Sequence, residues 1–314
     1  MPRLPKIPKL LDRKIYKTGQ TRGADDDQIF QNRVGRNSTV LIPFKIWKEY
    51  INLLKKKHFE NGYIILLSPK EYFTLTESQK INLSIVLGMN ALIFYEERQD
   101  WNKWDPVQNK FSIPLNRNKP LGGHYVARIA NTTSTQDERI NEGYTDTGLK
   151  GAGIRLYEYA DLETIQECRL QLESLFWCCI DSEEKMLKAG MNQNEIQERK
   201  EAIIKNAQTK GLFDEEKLKS NRTVNKNTEL VCPLCLEPIS AAGFLSRLPQ
   251  ATGRERHDLT VTEINLFHLE ELSYGKFNHC PYNLGWGHHH CNVVCKDSGI
   301  ESTLDWMRKV VKRN

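Results

Sequence analysis

FHLEELSYGKFNHCPYNLGWGHHHCNVVCKD, residues 267–297, read together with CPLC at 232–235, decides how this chain is organised. Cys232 and Cys235 stand two residues apart with Pro233 at the turn, and His288 and Cys291 repeat that spacing. Two such pairs can place four soft or borderline donors at the corners of a tetrahedron, the arrangement of a structural zinc site. His289, His290, Cys280 and Cys295 compete for places in the second pair. Five of the eight cysteines and six of the eight histidines fall at or after position 232. In a reducing compartment disulfides are disfavoured, so such clustering favours a metal. Metal binding also supplies folding free energy to a stretch that holds few large apolar residues.

Around these pairs, INLFHLEEL reads as a strand carrying His268, and PYNLGWGHHHCN leads into a short helix. His268 to Asn283 is fifteen residues and Asn283 to Asn292 is nine, intervals that suit a hairpin folding back before a helix. In order and spacing this resembles the HNH, or ββα-metal, nuclease family in its zinc-knuckle version. The resemblance covers about residues 230–310. It implies His268 as general base, Asn283 as the residue bracing the hairpin loop and orienting that histidine, and Asn292 as a ligand of a catalytic divalent metal, magnesium or manganese. It implies structural zinc on Cys232, Cys235, His288 and Cys291, and products with 5′ phosphate and 3′ hydroxyl ends. A neutral imidazole can accept a proton near pH 7, and a cation can hold charge on the phosphate and the leaving oxygen.

One position departs from the family. Most members carry an aspartate, the second metal ligand, immediately before the base, and here that residue is Phe267. Strand alternation makes Glu270 the first substitute, ahead of Glu271, His279 and His290. A hard cation prefers oxygen, which favours the glutamates. His257, followed by Asp258, offers the same chemistry in reversed order but lies twenty-six residues before Asn283.

Outward from this module the chain changes character. With 314 residues, 39% hydrophobic and 27% charged, it suits two soluble globular domains. VLIPF, YIILL, ALIFYE, HYVARIA and GIRLYEY read as strands, with helices over 46–57 and near 78–87, giving a mixed α/β domain. From Leu162 the apolar spacing turns helical through Leu172, Leu175, Phe176 and Cys179 to about Lys188. A more charged helix runs from about Gln193 to near Gly211. Cys168, Cys178 and Cys179 read as small core residues, and the apolar stripe as core or as a dimer surface. The expected division is a basic arm at 1–40, a DNA-recognition and dimerisation domain at 41–220 containing the helical segment 162–211, and the zinc-stapled module at 225–314. The fold class is therefore α+β.

The net charge of +5 does not itself imply a polyanion partner. Arg3, Lys6, Lys9, Arg13, Lys14 and Lys17 form a basic leader that reads as a phosphate-tracking or solvated arm. Neither a dinucleotide-binding glycine pattern nor a phosphate loop is present, so no nucleotide cofactor is expected, and a GxSxG elbow is missing. No apolar run approaches the roughly 18 residues that span a bilayer, and the N-terminus lacks a signal-peptide core, so the expected location is the cytoplasm.

An α/β domain ahead of an HNH-like module resembles a type II restriction endonuclease. It implies a sequence-specific cutter of double-stranded DNA, with segments beginning at Gln31, Trp101 and Asn116 as candidate base-reading loops and a homodimer if the target is palindromic. Alternatives are a methylation-dependent HNH nuclease, a homing endonuclease, and a zinc-ribbon DNA-binding regulator that does not cut. The segment STLDWMRKVVKRN reads as a helix with Ser302 as N-cap. Its basic end suits DNA phosphates or the negative pole of the helix.

Overall fold

The computed structural model describes residues 4–16, 39–50, 58–114, 120–127, 129, 154–246, 262–295 and 298–313. The chain divides into two compact units, Gly35–Tyr159 and a second made of Met1–Val34 with Ala160–Asn314.

The first unit is a five-stranded parallel sheet in the order β4-β3-β2-β1-β5, with β1 Val40–Pro43, β2 Tyr63–Leu67, β3 Ala91–Tyr95, β4 Tyr125–Ala127 and β5 Ile154–Arg155. All five are expected strands. They read as continuous apolar runs because a parallel sheet is covered on both faces, and Val40, Ile42, Ile64, Ile65, Leu92 and Ile93 are fully enclosed. Between them, α2 (Phe44–Tyr50) covers the start of the helix expected over 46–57, of which 51–57 lie outside the described residues, and α4 (Glu77–Asn82) is the second expected helix in shortened form. The sequence reading missed α3 (Pro69–Thr74) and α5 (Arg98–Lys103), each too short to show helical periodicity. α3 and α4 are nonetheless marked by capping boxes, Ser68 with Glu71 and Thr76 with Gln79, which satisfy end amides that lack intrahelical partners.

The second unit is mostly helical and closes on the hairpin. α1 (Lys9–Tyr16) comes from the leader, followed by α6 (Leu162–Phe176), α7 (Ser182–Lys188), α8 (Gln193–Thr209), α9 (Glu215–Ser220) and α10 (Ala242–Leu245). Strands β6 (Ile264–His268) and β7 (Leu284–His288) then pair antiparallel, and α11 (His289–Cys295) and α12 (Ile300–Val311) complete the unit.

Four expectations need correction here. The leader is not a free arm over its described part: Ile7, Leu11 and Ile15, spaced by four, are buried in the core of this unit. The surrounding Lys and Arg conceal that stripe. The helical segment 162–211 belongs to the same compact unit as the hairpin, so the observed division falls near residue 160 and not near 220. The indole of Trp286 donates to Leu172 O at 2.8 Å, and Gln171 joins Leu212 O at 2.8 Å to the amide of Tyr282 at 2.6 Å. The long helical stripe is interrupted at 177–181, where the chain turns to give Cys178 O to the amide of Leu230 and the Asp181 carboxylate to Ala241 N and Ser240. Leu172, Leu175 and Phe176 are consequently core, which removes them as a dimer surface.

Other expectations stand. α8 starts at an Asn192–Glu195 capping box and is followed by Gly211 in the left-handed region. Cys168 and Cys179 are buried and Cys178 is half-buried. The last helix begins two residues before the expected cap: Gly299 precedes Ile300, and the Ser302 hydroxyl, inside the first turn, donates back to Ser298 O.

Candidate metal centre and hairpin site

Cys232 and Cys235 sit in a tight turn closed by the amide of Cys232 on Glu237 O at 2.9 Å and the amide of Leu236 on Cys232 O at 2.8 Å. Leu236 takes the left-handed conformation that lets the chain reverse. Arg222 spans the turn, donating to Pro233 O at 2.8 Å and Leu234 O at 3.3 Å. On the other side His288 ends β7 and Cys291 lies in the first turn of α11. The donor atoms of Cys232, Cys235, His288 and Cys291 all lie within 4.8 Å of one another. Among the described residues this is where three or more His, Cys, Asp or Glu side chains gather in a metal-type group.

Of the competing ligands, Cys295 is buried with its thiol beside the Thr303 hydroxyl, and three others have contacts of their own. His289 Nδ1 is 2.9 Å from Asn265 Nδ2, His290 is exposed and stacks on the ring of His288, and Cys280 Sγ contacts Asn278 O. Three thiols and an imidazole suit a soft or borderline tetrahedral ion. The electrostatics agree with ligation. Burial opposes ionisation of Cys232, yet the His288 imidazole and the amides of Cys235, His288 and Leu234 outweigh it and bring the thiol down to about 6. Contact with Cys232 correspondingly raises His288, while burial raises Cys235 and Cys291.

The hairpin register pairs His268 with Leu284, Leu266 with Trp286 and Ile264 with His288, so these side chains share one face. Trp286 anchors that face, meeting Phe244 edge-on at 5.0 Å, and Phe244 meets Phe176 at 5.2 Å. Asn265 and Phe267 point to the opposite face. Phe267 is fully buried there over Gly287, where an added Cβ would lie 2.5 Å from its ring. The residue standing where the family carries aspartate is therefore a packing residue.

His268 closes β6 and is 5% exposed, with Nε2 3.2 Å from Nδ1 of buried His279. The loop 269–283 is tied by Asn283. Its Oδ1 accepts from the amide of Glu270 at 2.6 Å, its Nδ2 donates to Asn278 O at 2.7 Å, and its carbonyl accepts from Leu269 N at 3.0 Å. Asn278 adds a second tie by donating to Glu271 O. Asn292 follows Cys291 on α11 and is half-buried. β6 ends at His268, so strand alternation does not reach Glu270, whose side chain is exposed in the loop. His257 lies outside the described residues. The role of His279 against His268 was not foreseen, because spacing alone gives no sign of two histidines eleven residues apart meeting across a loop.

With this geometry in place, comparison with known proteins is informative. The profile of the BstXI restriction endonuclease family matches residues 13–289. The chain belongs to the BstXI restriction endonuclease family. The match runs through the parallel sheet, the helical segment and the hairpin, and ends two residues before Cys291. Among curated proteins none matches the sequence. Among solved structures a chain described as the crystal structure of a type II restriction endonuclease aligns at 12% identity with a TM-score of 0.27. The alignment covers 50% of this chain and 54% of that one, so this chain spans about half the length of that neighbour.

Proposed function

We propose that this BstXI-family chain is a restriction-type endonuclease that hydrolyses phosphodiester bonds at a specific sequence in double-stranded DNA, using an HNH-type centre on the β6–β7 hairpin and α11. Family membership supports the reaction class. The observation that carries the site assignment is the hairpin-then-helix order, with His268 ending the first strand, Asn283 bracing the loop behind it and Asn292 on the helix.

In this reading His268 is the general base. A neutral imidazole takes the proton of the attacking water, and His279, 3.2 Å from its Nε2, holds the ring in position. Asn283 keeps the loop from swinging the imidazole out of line. The Asn292 amide oxygen and the Glu270 carboxylate are the oxygen donors for magnesium or manganese. Two protein oxygens would suffice to hold such an ion, since magnesium is commonly bound through one or two carboxylates together with substrate phosphate. When bound, it stabilises negative charge on the phosphate and the leaving oxygen. Cys232, Cys235, His288 and Cys291 hold zinc, which fixes the end of β7 against the start of α11 and so sets where Asn292 stands. The sheet unit is assigned to base reading, and a homodimer follows if the target is palindromic.

Incubating the protein with magnesium or manganese and phage DNA should give discrete fragments. His268→Ala should lower cleavage by about 100- to 10,000-fold with DNA binding retained. Smeared products would instead indicate cutting without sequence preference. Burial of both His268 and Phe267 favours one second reading, a zinc-stapled DNA-binding regulator. It predicts salt-dependent binding with no metal-dependent scission.

A further inference from the structure

Helix α12 has two faces of different character. Ile300 and Thr303 are buried, and Leu304 and Met307 pack on the core. Away from that face Trp306 is 57% exposed, with Lys309 three residues on and so beside it, and Arg313 follows just past the helix end. Lys312 precedes Arg313. Asp305, the nearest acid, is engaged by Arg308 at 2.6 Å. Among the described residues Lys309, Lys312 and Arg313 have no acidic partner, which leaves this face cationic.

Cations at a helix C-terminus are favoured by the helix dipole whatever the protein does, by about 0.3–1 kcal/mol each. That effect accounts for the lysines and arginines. It does not account for a tryptophan left in water among them, because a large indole is normally mostly buried in a fold and is enriched where a partner covers it. An exposed indole beside unpaired cations complements a partner with a dense row of negative charge and apolar sugar edges between the charges. Duplex DNA has that chemistry. An acidic protein surface would present carboxylates without such a regular apolar floor.

We propose that the outer face of α12, carried by Trp306, Lys309, Lys312 and Arg313, is a contact surface for the sugar-phosphate backbone of duplex DNA. The proposal rests on the endonuclease reading above and extends it, since α12 follows the hairpin and α11 within the same unit. Backbone contact of this kind positions the duplex without reading its sequence.

The test uses the full chain and a labelled DNA duplex, with binding measured by fluorescence anisotropy over a range of salt concentrations without added magnesium. Each phosphate contact contributes about 0.9 to the slope of log K against log salt. The Lys309→Ala/Lys312→Ala/Arg313→Ala variant should therefore lose about 2 to 3 from the wild-type slope. A Lys309→Arg/Lys312→Arg variant should keep the slope, and Trp306→Phe should lose part of the tryptophan quenching caused by DNA. Wild-type binding combined with an unchanged slope in the triple alanine variant would overturn this proposal and leave the endonuclease reading intact. Failure of the wild-type protein to bind duplex DNA would overturn both. A wild-type dimer that becomes monomeric in Trp306→Ala would make this face a contact between copies and overturn the proposal in favour of that one.

Discussion

The sheet unit and the hairpin unit reach order by different physical routes. In Gly35–Tyr159 the strands bury Val, Ile and Leu on both faces, and removing apolar surface from water supplies the stabilisation. From Asn221 to Gly299 the chain also buries apolar residues, among them Leu230, Ile239, Phe244, Ile264, Phe267 and Trp286, but apolar burial is not all that fixes it. It is held by side chains reaching for backbone atoms: Arg222 to the Cys232–Cys235 turn, Asp181 to Ala241, Trp286 to Leu172 and Asn283 to both ends of its loop. The Cys/His group adds four donors at one point. Apolar packing tolerates many substitutions of similar size, whereas a network of specific bonds fails where one member is lost.

The sharpest way to break this contrast is to disable the metal group. Structural zinc can contribute on the order of 10 kcal/mol to folding, so Cys232→Ser or a strong chelator should release hydrogen-exchange protection across β6, β7 and α11. Strand amides in β2 and β3 should stay protected. Equal loss in both units, or none in the hairpin, would contradict the division. Leu92→Ala is the converse, expected to cost about 2–5 kcal/mol by leaving a void in the sheet core, with metal content unchanged by elemental analysis. Asn283→Ala, which strands the Glu270 amide and Asn278 O, should cost about 1–3 kcal/mol in chemical denaturation.

Acid provides a gentler probe. A thiol whose folded value lies below its ordinary one favours the native state at higher pH and loses that contribution as pH falls through the folded value. Cys232 sits at about 6, held by His288 and nearby amides. Because burial raises Cys235 and Cys291, binding must displace their protons and affinity should already fall as pH is lowered through neutrality, and fall more steeply below about 6 as Cys232 also takes up a proton, measurable by competition with a chromogenic chelator. Steady affinity down to pH 5 would show that the thiols of this group are not the ligands.

The same contrast explains what the sequence made legible. All five strands of the sheet were visible as apolar runs because both faces are buried and each run is bounded by turn residues. The donors of the Cys/His group were visible because a two-residue gap is itself a geometric constraint. The grouping of 162–211 with the hairpin was not visible, since it depends on single bonds such as Gln171 to Tyr282 that leave no periodic trace. The His268–His279 approach was hidden for the same reason. The buried face of α1 could have been found from Ile7, Leu11 and Ile15, but their spacing was outweighed by the number of lysines around them.

The leader helix has one more consequence. Lys14 Nζ donates to the carbonyl of Ile264 across 250 positions, and burial pushes its ammonium down to about 7. While the chain is being synthesised, the apolar stripe of α1 waits through the whole sheet unit before α6, the first element it packs on, has left the ribosome. The sheet between can therefore fold first, and the unit that carries the Cys/His group and the hairpin closes last.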